Sequence, residues 1–156
     1  MIMRKLIPLL FFLLLGCTSS DSEVIPPIMS YSYSTTELDL IDKVNEYRTT
    51  NGLNTLQPVE HVSYLCSEHN QTMIQIGIVG HQDFESRIHN LKLTVNTTQV
   101  SELIAYNYNT NQSVMNSFIA STLCKKILDE QDKNRIGVAV SISTSGKKYY
   151  TLIIIN

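Results

Sequence analysis

The chain has 156 residues, with 12 Lys and Arg against 14 Asp and Glu, and 3 cysteines. A slightly acidic chain without a Lys/Arg stripe is a poor nucleic-acid binder, and so few cysteines make no disulfide framework. The part that reads as a folded domain, about 120 residues from Glu37 onward, suits a single core and excludes two.

Residues 1–16 read as a secretory leader. Arg4 and Lys5 precede an apolar run from Leu6 to Leu15 that only Pro8 interrupts, too short for a permanent membrane helix. The ending Leu14-Leu15-Gly16-Cys17 resembles a bacterial lipobox. That resemblance makes Cys17 the acylated first residue of a mature, membrane-anchored lipoprotein, with palmitate among its acyl groups; the plainer alternative is an ordinary cleaved signal. Removing residues 1–16 leaves 10 basic against 14 acidic side chains. Residues 17–36 are rich in Ser and Thr and include Pro26-Pro27, the composition of a flexible tether. Asp21 and Glu23, soon after the cysteine, fit display at the outer membrane or cell surface.

Residues 37–50 form the first predicted helix, with Leu40 or Ile41, Val44 and Tyr47 facing inward, acids in its first turns and Thr36 as N-cap. Asn51-Gly52 ends it. A second amphipathic helix starts at Pro58, with Val62, Leu65, Cys66, His69, Met73 and Ile76 on one stripe. Gly77 and Gly80 stop it and deliver His81 where a rigid helix meets a loop, a common setting for functional residues. Residues 82–93 read as irregular, with Phe84 and Ile88 as apolar pegs and Arg87 as an ion partner.

Residues 100–108 favour a strand through their Val, Ile and Tyr content. Glu102 inside it is either solvent-facing or held for a purpose, and exposure is the ordinary fate of a strand acid. Residues 111–120 form a helix with Val114, Met115, Phe118 and Ile119 inward, and residues 121–128 a turn and short helix. Residues 135–143 alternate Ile136, Val138, Val140 and Ile142 with small or polar partners. After the Thr144-Ser145-Gly146 turn, residues 147–155 return, giving a C-terminal β-hairpin. Helices first and an antiparallel pair last make an α+β domain. Cys66 and Cys124 either pair in an oxidising compartment or stay free.

In order, LIDKVNEYRTTNGLNTL, LCSEHNQTM, Gly80-His81, SELIA, SFIASTLCKKIL and RIGVAVS resemble the bacterial branch of the CAP superfamily, which includes the cysteine-rich secretory, antigen 5 and pathogenesis-related proteins. The resemblance covers residues 38–155 and implies an αβα sandwich with a central antiparallel sheet. The family's cleft holds two histidines and one or two glutamates; His81 and Glu102 stand at two of these positions. Cys124 falls where the second histidine is expected, and Leu103 replaces an asparagine. His69 matches a packing histidine, while His61 and His89 have no assigned role.

These residues carry two functional expectations. One is a lipid-anchored, monomeric binding module in the cell envelope, with a degenerate cleft and a lipid or cell-surface ligand. The other is a metal-dependent hydrolase in which His81, Glu102 and Cys124 hold Zn²⁺ and its bound water, a chemically acceptable ligand set. A Cys124/His81 nucleophilic dyad is a third, weaker arrangement.

Overall fold

Ser34 opens the first helix with a reciprocal cap. Its hydroxyl accepts the N–H of Glu37 at 3.3 Å, and the Glu37 carboxylate accepts the Ser34 N–H at 2.8 Å. Helix α1 therefore runs Thr35–Thr50, starting ahead of the predicted Thr36 cap. The structure, a computed structural model, describes residues 24–156. The leader, Cys17 and the start of the tether lie outside the described residues.

The remaining elements are β1 (Gln57–Pro58), α2 (Glu60–Ile76), α3 (Phe84–Thr94), β2 (Val100–Tyr106), α4 (Asn111–Ala120), α5 (Thr122–Leu128), β3 (Arg135–Ile142) and β4 (Lys148–Ile155). The sheet order is β1-β3-β4-β2. β2, β3 and β4 are antiparallel as expected, whereas the two-residue β1 joins β3 in parallel, so the sheet is mixed. Pro58 consequently belongs to β1 rather than to the helix: the Val59 N–H donates to the Ile136 carbonyl at 2.8 Å and delays α2 until Glu60.

Strand alternation sorts the core into two layers. Ile136, Val138, Tyr150, Leu152, Ile154, Leu103 and Ala105 point to one face and pack with α1, α4 and α5. Ala139, Ile153 and Ile155 point to the other and pack with Val62 and Cys66 of α2 and Leu91 of α3. This is the α+β, three-layer arrangement read from the sequence. Gly137 brings α2 onto the sheet, since a Cβ there would lie 2.5 Å from the Val62 carbonyl carbon.

Residues 82–93 are not irregular. Phe84, Ile88 and Leu91 recur at helical spacing, and α3 buries Leu91 and Arg87. Asp83, at φ 56°, supplies the left-handed turn that starts it. Ile76, assigned above to the apolar stripe of α2, is instead exposed.

The tether is docked from Met29 onward. Met29 N–H donates to His61 Nδ1 at 3.0 Å, Tyr31 N–H to Glu60 at 3.2 Å, and the Tyr31 hydroxyl to Glu37 at 2.6 Å. Burial, and then the bond to Glu37, push the Tyr31 phenol well above its ordinary range. Ser63 Oγ contacts the Tyr33 hydroxyl at 2.9 Å. Beyond the short β1, the outer edge of β3 would present bare N–H groups. Ser63 Oγ accepts the one at Val138 and Glu37 the one at Val140, both at 2.9 Å. Side chains thus close an edge that would otherwise invite strand pairing.

Candidate functional site

Glu102 lies on β2 opposite Ile153 of β4, which itself pairs with Gly137 of β3, so its side chain faces the α2/α3 layer. The side chain is 1% exposed, which corrects the solvent-facing expectation for this strand acid. A carboxylate buried this deeply requires partners. Arg87, one turn into α3, supplies two: Nε donates to Oε2 at 2.8 Å and Nη2 to Oε1 at 2.8 Å. The third guanidinium nitrogen, Nη1, donates to the Gln82 carbonyl at 2.7 Å and ties the ion pair to the loop carrying His81.

His81 comes off the turn that Gly77 starts. At φ 69° Gly77 closes α2 in the left-handed conformation, and Gly80 precedes the histidine. Glu102 Oε1 accepts from His81 Nδ1 at 2.8 Å, which fixes the proton on Nδ1 and leaves Nε2 as the unprotonated nitrogen of the neutral ring. The ring is 56% exposed and lies against Phe84, with centroids 6.2 Å apart. The Arg87 guanidinium sits over the same Phe84 ring at 5.8 Å, a cation–π contact.

His69 of α2 completes the group from below. Its Nε2 donates to the Gly80 carbonyl at 2.9 Å and stands 3.9 Å from Glu102 Oε1. Burial holds its pKa below the ordinary histidine value, an effect that Glu102 opposes and Arg87 reinforces. Its Nδ1 is buried without a hydrogen-bond partner, as is Gln82 Oε1. Here the role of His69 is positional: it holds the Gly80 carbonyl and so the turn that presents His81.

Cys124 does not join this group. It sits on α5 and packs with the α1/α4/α5 core on the opposite face of the sheet from Glu102. The motif position of Cys124 fixes its order in the chain but not its layer; its N–H donates to the capping Ser121 Oγ at 3.4 Å, and its side chain packs on the other core. The ligand set His81, Glu102, Cys124 is therefore not assembled, and neither is a Cys124/His81 dyad. Cys66 lies in the α2 layer, so the two thiols are separated by the sheet and both are free.

The residues present do not fit a zinc ion. Both Glu102 oxygens accept from the Arg87 guanidinium, whose positive charge opposes a cation beside it, and His81, with Nδ1 donating to that carboxylate, has only Nε2 to offer a metal. Among the described residues, no group of three or more His, Cys, Asp or Glu side chains is arranged to hold a metal. The arrangement offers one exposed imidazole edge beside an apolar rim: Ile76, Ile78 and Val79 are 48%, 57% and 42% exposed on the turn leading to His81.

Of these residues, Arg87 was legible only as an ion partner without a mate. The helical spacing of Phe84, Ile88 and Leu91 was the signal that would have turned it inward.

Comparison with known proteins bears on the whole arrangement. Among solved structures, an outer surface protein from Borrelia burgdorferi superposes with a TM-score of 0.70 at 20% identity, covering 82% of this chain and 98% of that one. An extracellular protein containing an SCP domain from Bacillus anthracis matches with a TM-score of 0.69 at 18% identity, over 78% of this chain and 40% of the other. A cysteine-rich secretory protein from Staphylococcus aureus gives 0.65 at 18% identity, over 77% and 38%. This chain thus spans about two-fifths of the last two. At these identities the likeness is one of fold. No curated protein sequence gives a significant match. The family model of the cysteine-rich secretory proteins matches residues 41–154, most of the chain, and with the fold it shows that this protein belongs to the CAP family.

Proposed function

We propose that the protein is a lipid-anchored binding module of the cell surface, built on a CAP domain whose cleft performs no metal-dependent chemistry. The observation that carries this reading is the state of Glu102. A carboxylate that accepts from Arg87 at both oxygens and from His81 has three of its roughly four acceptor sites filled, and at 1% exposure the remaining one is closed to solvent. Hydrolysis through His81, Glu102 and Cys124 would require a thiol that lies across the sheet.

Binding requires less: an exposed apolar surface with a polar group beside it. The turn bearing Ile76, Ile78 and Val79 next to the exposed edge of His81 has that composition, and a lipid or an apolar surface ligand is the chemistry it suits. Surface location is supported by the fold's relatives, an outer surface protein and an extracellular protein. Anchoring through Cys17 is supported by the lipobox-like sequence.

Two measurements test the proposal. Labelled palmitate should enter the full chain in cells and fail to enter a Cys17→Ser variant. That variant should bind a fluorescent fatty acid saturably, with binding lost in Ile78→Ser/Val79→Ser. Stoichiometric zinc binding by calorimetry, abolished in His81→Ala, would overturn the reading in favour of metal chemistry.

A further inference from the structure

His61 is buried at the start of α2, and both of its ring nitrogens are occupied. Nδ1 lies 3.0 Å from the backbone N–H of Met29, which can only donate, so Nδ1 carries no proton. Nε2 then carries it and donates to Asn90 Oδ1 of α3 at 2.8 Å. The Met29 N–H thus dictates the tautomer, and the neutral ring bridges the N-terminal strap to α3.

We infer that His61 is an acid-released latch that holds the strap to the domain at Met29. A proton has one place to go, Nδ1, and its arrival turns the acceptor of the Met29 bond into a donor. Two N–H groups then face each other at a part-buried site, an arrangement that costs the hydrogen bond. The bond to Asn90 is unaffected, because Nε2 donates in either form. Protonation therefore breaks the strap contact while leaving α2 joined to α3.

The surrounding groups confine the effect. On α2 the titratable neighbours are Glu60 and Tyr64, whose ring stacks on the imidazole with centroids 6.4 Å apart. Helix α3 presents the neutral Asn90, with His89 beside it in sequence. The strap from Val24 to Thr36 bears Tyr31 and Tyr33 and no charged side chain. Glu60 continues to accept the Tyr31 N–H, and Glu37 the Tyr31 hydroxyl, so opening stops short of Tyr31. The stretch is apolar and already open: Val24, Ile25, Ile28 and Met29 are 86%, 65%, 68% and 38% exposed, so what acid frees is the Met29 backbone. On the anchoring proposed above, this stretch lies between the lipid and the domain, so acid would lengthen the free tether; the latch itself does not depend on that anchoring.

The test is amide hydrogen exchange of the full chain, corrected for the intrinsic pH dependence of exchange. Protection at Met29 should fall about tenfold between about pH 7.5 and about pH 5, while Val138 and Leu152 in the sheet keep theirs. In His61→Gln, which cannot titrate, the Met29 protection should be the same at both pH values. His61→Phe should lack protection at both; should it not fold, the wild-type and His61→Gln comparison decides alone. A pH-independent Met29 in the wild type, a loss shared equally by the sheet amides, or a drop that survives in His61→Gln would each overturn the inference.

Discussion

Arg87 grips Glu102 through two nitrogens, Nε at 2.8 Å from Oε2 and Nη2 at 2.8 Å from Oε1, with the carboxylate 1% and the guanidinium side chain 9% exposed. In a buried pair of this kind the desolvation cost is offset only while both partners are present. Arg87→Met should therefore destabilise the fold by about 3–5 kcal/mol, by leaving a charged group without its counter-ion. The double variant Arg87→Met/Glu102→Leu should recover most of that loss. Urea unfolding of the single and double variants checks this; a double variant as unstable as the sum of the singles would show that the pair does not act as a unit.

His69 makes stability depend on pH. Burial keeps its imidazole neutral below the ordinary histidine value, so the unfolded chain takes up a proton first as pH falls. The contribution is present in full above about pH 6.5 and is lost as pH falls through the lowered folded value. The urea midpoint should drop between about pH 7.5 and about pH 5, and His69→Gln should flatten that part of the dependence. A His69→Gln profile parallel to the wild type would show that other groups set the slope.

The two thiols should react at different rates. Cys66 is fully buried, and burial, followed by the charge of Glu102, raises its pKa. Cys124 is partly exposed on α5. Iodoacetamide should label Cys124 in the folded chain and reach Cys66 only on unfolding, since the thiolate is the nucleophile. Mass spectrometry of peptides after a timed pulse decides, and a Cys66–Cys124 disulfide in that digest would contradict the layer assignment.

Gly137 has no room for a methyl group. Its Cβ would meet the Val62 carbonyl carbon and Cγ1 at 2.5 Å and the Ser63 nitrogen at 2.6 Å, two of them backbone atoms that cannot rotate aside. Gly137→Ala should cost about 2–3 kcal/mol by forcing α2 off the sheet. Because Ser63 Oγ holds the Val138 N–H, the same displacement should raise exchange at Val138. Unchanged stability would mean that the helix moves freely over β3.

How much of this was legible in the sequence follows from the range of the interactions involved. Helix α4 and the β3/β4 hairpin declare themselves in local patterns: Thr110 caps Asn111–Ala120, and Ile136, Val138 and Val140 alternate. The start of α2 was misplaced because a single bond from Val59 to Ile136, far along the chain, draws Pro58 into a parallel bridge. For Glu102 the local pattern leaves exposure and burial both open, because its partner Arg87 lies in a segment that shows no clear helix, and an acid without a visible cation defaults to solvent. Cys124 illustrates the opposite limit. A motif fixes order along the chain, but the layer to which α5 delivers a side chain depends on the Ser121 turn and the core beneath it.

The closure of the β3 edge bears on where this domain begins. Glu37 lies at the start of the first predicted helix, yet its carboxylate is shared among Ser34, the Tyr31 hydroxyl and the Val140 N–H. A chain cut at that predicted boundary would retain every helix and strand but the first two residues of α1. It would lose the cap and the phenol, and leave the carboxylate that seals the strand edge free to swing into solvent. Such a fragment would present an unguarded β3 to its own copies, so self-association of a shortened domain would reflect the missing strap rather than the native oligomeric habit of the protein.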